Sequence, residues 1–416
     1  MHQTLHLLIV DRDRRAALAA SYGSKWLLPL ATFGERARTA PLIARWCAER
    51  GVTGDVAGQW SGRVTSNAID WLVAIAVRRG SAITDSGLQW ASLDALLSAP
   101  AVLDYQQWAV AAVLTGELPS VDGPFGNLSW PDELRSWIGN AVGSPVTSLT
   151  PYRVGAHEVV VGADCAGGRV YCKGLTQERA AEARVTQALA AIEPESFART
   201  LASKDRGDGS VWWLTAACPG RPGGDVHRIA QALARIQQRV LAAGVPPESP
   251  RLDLDAAAQW ASALLLDSPS GDVVHRRCAC VMRADVPSSW IPMDLDPTNV
   301  LIDDDERVRF IDVDDSFVGP APLAMATLAM RRDDRTPYRT YERSWSPPLV
   351  DLDWVAFETT ATVVQLWLGW QRLERHIARG DVFVDRDFAA ARIRDRVVKA
   401  IDHISPCPAR RGDRGV

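Results

Sequence analysis

The stretch Asp294-Leu295-Asp296-Pro297-Thr298-Asn299-Val300-Leu301-Ile302, followed by Asp303-Asp304-Asp305-Glu306-Arg307 and then Val308-Arg309-Phe310-Ile311-Asp312, decides how the chain is read. Two short apolar runs flank a block of acids, the pattern of a β-hairpin with a charged tip. The acid block itself reads as a solvated turn. If the turn is symmetric about residues 305 and 306, Asn299 and Asp312 face each other across the ladder with Cβ atoms ~5 Å apart. One oxygen from each then reaches the same hard cation. A register different by one residue would turn one of these side chains to the other face.

Asp294 precedes Asn299 in a non-helical stretch that Pro297 helps to fix. It sits beside the expected ligand pair without belonging to it, free to accept a proton. Magnesium takes a few protein oxygens and keeps water and phosphate oxygens, and a nearby carboxylate orients an attacking hydroxyl. That is the inventory of phosphoryl transfer.

Met293 to Asp303, with Phe310-Ile311-Asp312, resembles the catalytic segment of aminoglycoside phosphotransferases and related small-molecule kinases. In that family a histidine-glycine-aspartate opening leads through a proline to an asparagine, and an isoleucine-aspartate follows one hairpin later. The resemblance implies a two-lobed, protein-kinase-like α+β domain. It also implies Asp294 as catalytic base, Asn299 and Asp312 as Mg2+ ligands, and ATP or GTP as phosphoryl donor to a small-molecule alcohol. Two departures stand out. Pro292 and Met293 replace the usual histidine and glycine, and Pro320 to Ala326 lacks the aspartate usual after the second metal ligand.

Upstream, Val170-Tyr171-Cys172-Lys173 resembles the strand whose lysine holds the nucleotide phosphates. Lysine is rare here (Lys25, Lys173, Lys204 and Lys399), so one kept inside a strand invites a functional question. The same resemblance implies Glu182 as its ion-pair partner, with Glu178 as rival, and a base-binding hinge at Trp213-Leu214-Thr215-Ala216-Ala217, where Thr215 and Ala217 meet the nucleotide. Gly220 would open the second lobe. His227 to Gln237 would be the helix before the catalytic half, with Gln237 where a histidine is common.

The chain has 416 residues, room for more than one core. The expected division is an α/β domain over residues 1–140, a linker rich in Gly, Ser, Pro and Thr over 141–150, a nucleotide lobe over 151–222, a helical lobe over 223–404 and a frayed tail over 405–416. In the first domain, patterning predicts strands at Leu5 to Val10 and Ile69 to Val77, the latter buried on both sides, and helices at Thr39 to Arg50 and Asp104 to Leu114. Trp26-Leu27-Leu28-Pro29, Ala48-Glu49-Arg50-Gly51-Val52 and Trp90-Ala91-Ser92-Leu93-Asp94 together resemble a Nudix hydrolase. Ala44, Arg45 and Ala48 stand where that family places charge of specific sign. Glu49 alone remains acidic, which implies a Nudix-like domain without hydrolysis.

A net charge of -4 provides no general basic field for nucleic acid. No run is long and apolar enough for a membrane span, and the scattered, odd-numbered cysteines fit reduced thiols, so a cytoplasmic enzyme is expected. Cys278-Ala-Cys280 lacks a second pair at zinc spacing and reads as packing. Arg331, Arg332, Arg335, Arg339 and Arg343, after the hairpin, are expected to repel polycations and favour a neutral or anionic acceptor, such as an antibiotic of sugar or nucleoside type. Two other readings are a kinase for Ser or Thr of a natural-product precursor peptide and a nucleotide-binding pseudokinase acting as an interaction protein. The sequence does not specify the oligomeric state.

Overall fold

The computed structural model describes residues 2–11, 16–22, 25–33, 39–52, 54–64, 68–77, 87–98, 124–125, 129–155, 158–265, 269–313, 315–378 and 386–403. The helix expected at Asp104 to Leu114 and the tail from 405 lie outside these residues. The chain divides into two compact units: Met1–Ala180, Thr200–Ala217 and Glu374–Val384 form the first, and Ala181–Arg199, Cys218–Leu373 and Asp385–Val416 the second.

Unit 1 contains a seven-stranded and a five-stranded sheet. The larger is built from β1 (His2–Asp11), β2 (Ala16–Tyr22), β3 (Lys25–Leu27), β4 (Leu30–Phe33), β5 (Gly54–Val64), β6 (Ala68–Val77) and β7 (Gln89–Ser92), with helix α1 (Thr39–Glu49) between β4 and β5 and α2 (Leu93–Ser98) after β7. Strand β1 runs parallel to β6 and antiparallel to β2 and β4. The strand expected at Ile69 to Val77 therefore forms, while its side chains lie outside the described residues.

Helix α3 (Trp130–Val142) ends at Gly143, whose φ of 69° supplies the left-handed cap that a side chain resists. Strand β8 then starts at Val146 and runs to Val154. The stretch expected as a linker is thus a helix cap and half a strand, because β-branched Val146, Thr147 and Thr150 suit a pleated sheet better than a free chain. Strands β9 (Glu158–Cys165), β10 (Gly168–Thr176), β11 (Thr200–Asp205) and β12 (Ser210–Ala216) complete an antiparallel sheet in the order β11-β12-β10-β9-β8.

One hydrophobic core serves both sheets. Leu7, Ile9, Leu18, Ile43, Cys47 and Val52 from the first domain join Phe125, Trp130, Leu134 and Ile138, and with them Val154, Val161, Cys172, Trp212 and Leu214. Arg206 closes this core: 7% exposed, it donates to Glu133 (3.0 Å) and the Pro124 carbonyl (3.1 Å), and its guanidinium lies over the rings of Phe125 and Trp212. Gly174 lets Phe125 in, since a Cβ there would come within 2.5 Å of the ring.

Unit 2 is mostly helical. Its elements are α4 (Ala181–Ile192), β13 (Arg221–Pro222), α5 (Val226–Ala243), α6 (Leu254–Leu264), α7 (Pro269–Arg283), β14 (Ser288–Pro292), β15 (Val300–Ile302), β16 (Val308–Phe310), β17 (Ser316–Pro320), α8 (Pro322–Arg332), α9 (Tyr338–Arg343), α10 (Trp354–Ala378, which crosses the unit boundary) and α11 (Arg386–His403). Ile229, Leu233, Ile236 and Val240 make the apolar stripe of α5, which packs into a core with Trp290, Phe310, Met325 and Phe357. No helix among the described residues is long and apolar enough to cross a membrane.

Candidate functional site

The expected hairpin forms, as β15 and β16, but with a different register. Val300 pairs with Phe310, Leu301 with Arg309 and Ile302 with Val308, so the ladder is centred on residue 305. Continuing it, the Ile311 N–H donates to the Asn299 carbonyl at 2.9 Å. Asn299 therefore meets Ile311, and Asp312 is not its cross-strand partner. Asp312 instead has φ +58°, a left-handed turn that ends the strand's alternation. The sequence expectation failed because it centred the turn between residues 305 and 306, whereas the turn, with Glu306 in the left-handed region, centres the ladder on 305.

The acid block does more than sit in water. Asp303 Oδ1 accepts from the N–H groups of Asp305 (3.1 Å) and Arg307 (2.8 Å), and its Oδ2 pairs with Arg309 at 3.0 Å. The Arg307 hydrogen bond first, then Arg309, holds its carboxyl below the usual range. Glu306 takes the left-handed turn position and accepts both Nη groups of Arg228. Asp304 and Asp305 remain exposed. Behind the hairpin, Gly220 has φ +119°, and a Cβ there would meet the Ile302 carbonyl group at 2.9 Å, so glycine is required beside β15.

Asp294 leaves the end of β14, which pairs antiparallel with β17 from Ser288↔Pro320 to Pro292↔Ser316. With no histidine and glycine before it, the segment is held by other means. Met293 is buried in the core; its N–H donates to the Asp315 carbonyl (2.8 Å) and its own carbonyl accepts from Gln365 Nε2 of α10 (3.1 Å). One step back, Trp290 donates from its indole to Ser316 Oγ (2.9 Å). Gln237, fully buried on α5, donates to the carbonyls of Trp290 (2.9 Å) and Ala321 (3.0 Å) and accepts from the Tyr341 hydroxyl (2.7 Å). This residue, noted only as standing in a histidine's place, ties β14, α8 and α9 together. The signal was available: a glutamine inside the apolar stripe of an amphipathic helix marks a buried hydrogen-bond network.

Beyond Asp294 the backbone enters a 3-10 turn, Pro297–Asn299, capped by Asp296, whose Oδ1 accepts from the Thr298 N–H (2.8 Å) and hydroxyl (2.7 Å). Asn299 Nδ2 donates back to the Asp294 carbonyl (3.1 Å) and lies 3.5 Å from Asp294 Oδ2. Its amide nitrogen is thus spent within the segment, and Oδ1 remains as the group suited to a cation.

Arg331, in the last turn of α8, reaches both aspartates: Nη2 donates to Asp294 Oδ1 at 2.5 Å and Nη1 to Asp296 Oδ2 at 3.2 Å. This contact was not anticipated. Burial raises the Asp294 carboxyl above its ordinary value; Arg331 works against that, Asp315 and Asp312 add to it, and Arg372 opposes them. For Asp296, burial is outweighed by the Thr298 hydrogen bonds and Arg331, and its carboxyl is held low. Neighbouring acids are driven apart, with Asp294 the better proton acceptor. Arg372 of α10 ion-pairs with Asp315.

The arginine-rich stretch is not a free loop. Arg335 grips the buried carboxylate of Glu358 through two hydrogen bonds (2.6 and 2.7 Å), Tyr338 donates to the same group, and Arg332 donates to the Gly224 carbonyl. Tyr338 and Tyr341 are buried. Arg331 and Arg335 are thus bound to carboxylates, whereas Arg332, Arg339 and Arg343 are exposed.

On the nucleotide side, Lys173 lies in β10 opposite Val160 of β9 and Trp213 of β12, and Thr215 pairs with Tyr171 and donates to its carbonyl at 3.3 Å. Ala217 follows the end of β12 and is exposed. These residues belong to unit 1. Glu182 belongs to unit 2, buried in the first turn of α4. The side chain of Glu178 lies outside the described residues.

No protein-family model matches the chain, and no curated protein matches it. Among solved structures, it is similar to choline kinase LicA from Streptococcus pneumoniae (13% identity over 66% of this chain and 99% of that one, TM-score 0.49). It is likewise similar to a choline/ethanolamine kinase family protein from Mesorhizobium loti (16%, 65% and 95%, TM-score 0.48) and to macrolide 2'-phosphotransferase MphH from Brachybacterium faecium (14%, 65% and 97%, TM-score 0.44). At these identities and TM-scores the likeness assigns no activity to this chain.

Proposed function

We propose that the chain is a phosphotransferase that moves the γ-phosphoryl group of ATP or GTP onto a hydroxyl of a small molecule. The observation that carries this reading is the Asp294–Asn299 segment: a carboxylate with raised proton affinity, beside an asparagine whose oxygen is unspent, with Asp312 following the Ile311–Asn299 hydrogen bond. Asp294 accepts the hydroxyl proton as the phosphoryl group departs from the nucleotide. By the sequence resemblance Asn299 and Asp312 would hold magnesium, which needs only one or two protein carboxylate or amide oxygens when nucleotide phosphates and water fill the rest. When bound, the ion would neutralise charge on the transferring phosphates.

The nucleotide-side assignments, Lys173, Glu182, Thr215 and Ala217, rest on the sequence resemblance. The acceptor class, an antibiotic of sugar or nucleoside type, rests on that resemblance together with the basic stretch Arg331 to Arg343. The first domain is read as Nudix-like without hydrolytic chemistry, since α1 carries Glu49 as its single acid. Screening hydroxylated antibiotics with γ-labelled ATP and GTP, with and without Mg2+, tests the proposal. Label transferred to an acceptor supports it; no magnesium-dependent turnover with either nucleotide refutes it.

A further inference from the structure

The two oxygens of Asp294 are not equivalent. Oδ1 receives a short, charge-assisted hydrogen bond from Arg331, while among the described residues Oδ2 has only the 3.5 Å approach of Asn299 Nδ2. A carboxylate oxygen already bound to a guanidinium is the weaker proton acceptor. Oδ2 is left for an incoming hydroxyl.

The guanidinium is planar and its two Nη groups have fixed spacing, so gripping Asp294 and Asp296 at once fixes how the Asp294 carboxylate is turned. Both ends of this brace are anchored. Asp296 is locked by its cap on the 3-10 turn, and α8 is held at its start by the bond from Gln237 to the Ala321 carbonyl. The cation also sits in the last turn of α8, where the helix dipole favours it. Arg331 and Asp294 are each 33% exposed, a setting in which an ion pair contributes little to folding. Its consequence is orientation.

We propose that Arg331 is a positioning residue that selects Oδ2 of Asp294 as the proton acceptor by holding Oδ1. This rests on the reading of Asp294 as the base. The arginine touches neither nucleotide nor acceptor in this role and acts through the carboxylate alone.

The test uses the full-length chain with magnesium and ATP or GTP, measuring phosphoryl transfer to water or to any acceptor found. In Arg331→Ala, kcat should fall about 10- to 100-fold while the nucleotide KM stays within about twofold. Millimolar guanidinium ion should restore part of the loss, and it should restore none in Asp294→Asn. Arg331→Lys, which keeps charge but loses the fork, should lie between wild type and alanine. Wild-type kcat in Arg331→Ala, or a loss that guanidinium leaves untouched and that nucleotide KM follows, overturns the proposal. A crystal structure of Arg331→Ala decides it independently of turnover: the Asp294 carboxylate should rotate with the 3-10 turn retained, and an unmoved carboxylate contradicts the brace. Should wild type lack turnover with both nucleotides, the base assignment fails, and the orientation result still stands for or against the brace.

Discussion

Two acid-rich stretches lie within a few residues of each other, and their partners differ in kind. At the hairpin tip, Asp303 takes its hydrogen bonds from Asp305, Arg307 and Arg309, all neighbours in sequence. The Asp294–Asn299 segment is held from far away: by Gln365 and the Asp315 carbonyl at Met293, and by Arg331 at Asp294 and Asp296. Asp303 thus needs no distant partner, although Glu306 of the same tip reaches Arg228. A carboxylate fixed by groups from several elements has been given one orientation, and orientation is what proton transfer requires.

The largest effect expected from this contrast is on chemistry. Asp294→Asn should lower transfer by about 10²- to 10⁴-fold, the usual contribution of a positioned general base, with nucleotide affinity nearly unchanged. Asp312→Ala should weaken magnesium-nucleotide binding along with turnover, which titration calorimetry with and without Mg2+ would resolve. Wild-type nucleotide affinity in that variant would remove Asp312 from the metal.

Next in size is the dependence of unit 1 on its first domain. Leu7, Ile9, Leu18, Ile43, Phe125, Trp130, Leu134 and Ile138 share the core with the five-stranded sheet. At about 1.5–3 kcal/mol for each large apolar side chain buried, losing them exceeds the ~5–15 kcal/mol that stabilises a typical domain. Deleting residues 1–140 should therefore leave residues 146–180 and 200–217 unfolded, visible as rapid proteolysis there. A protected five-stranded sheet in the truncated chain would show that the sheet has a sufficient core of its own.

Smaller effects sharpen the comparison between the two acidic stretches. Gln237→Leu keeps volume but strands two carbonyls and a tyrosine hydroxyl in the interior, at about 1–3 kcal/mol per unpaired group, and should lower the urea midpoint clearly. Glu306→Gln, at the exposed tip, should change stability by about 1 kcal/mol or less despite its bidentate bond to Arg228. If the tip variant were the costlier one, the distinction between local and distant support would collapse.

How much of this was legible in the sequence follows the same division. The hairpin, the strand carrying Lys173 and the helix containing Gln237 were read correctly, because periodicity and turn residues are local signals. The register was missed by one residue, since the left-handed backbone at Glu306, within the turn that sets it, follows from no pattern of polarity. The supposed linker was misread because its Gly, Ser, Pro and Thr content masked the β-branched residues of β8. Arg331 was seen only as part of a basic run; an arginine closing an apolar helix carries no mark of a partner at Asp294.

Asp294 is proposed as the base of a magnesium-dependent phosphoryl transfer. The most direct measurement pairs wild type with Asp294→Asn, following release or transfer of label from γ-labelled ATP and GTP while nucleotide binding is measured on the same samples. Wild type should show magnesium-dependent turnover, and the variant near-complete loss with binding intact. Equal rates in the two proteins would contradict it.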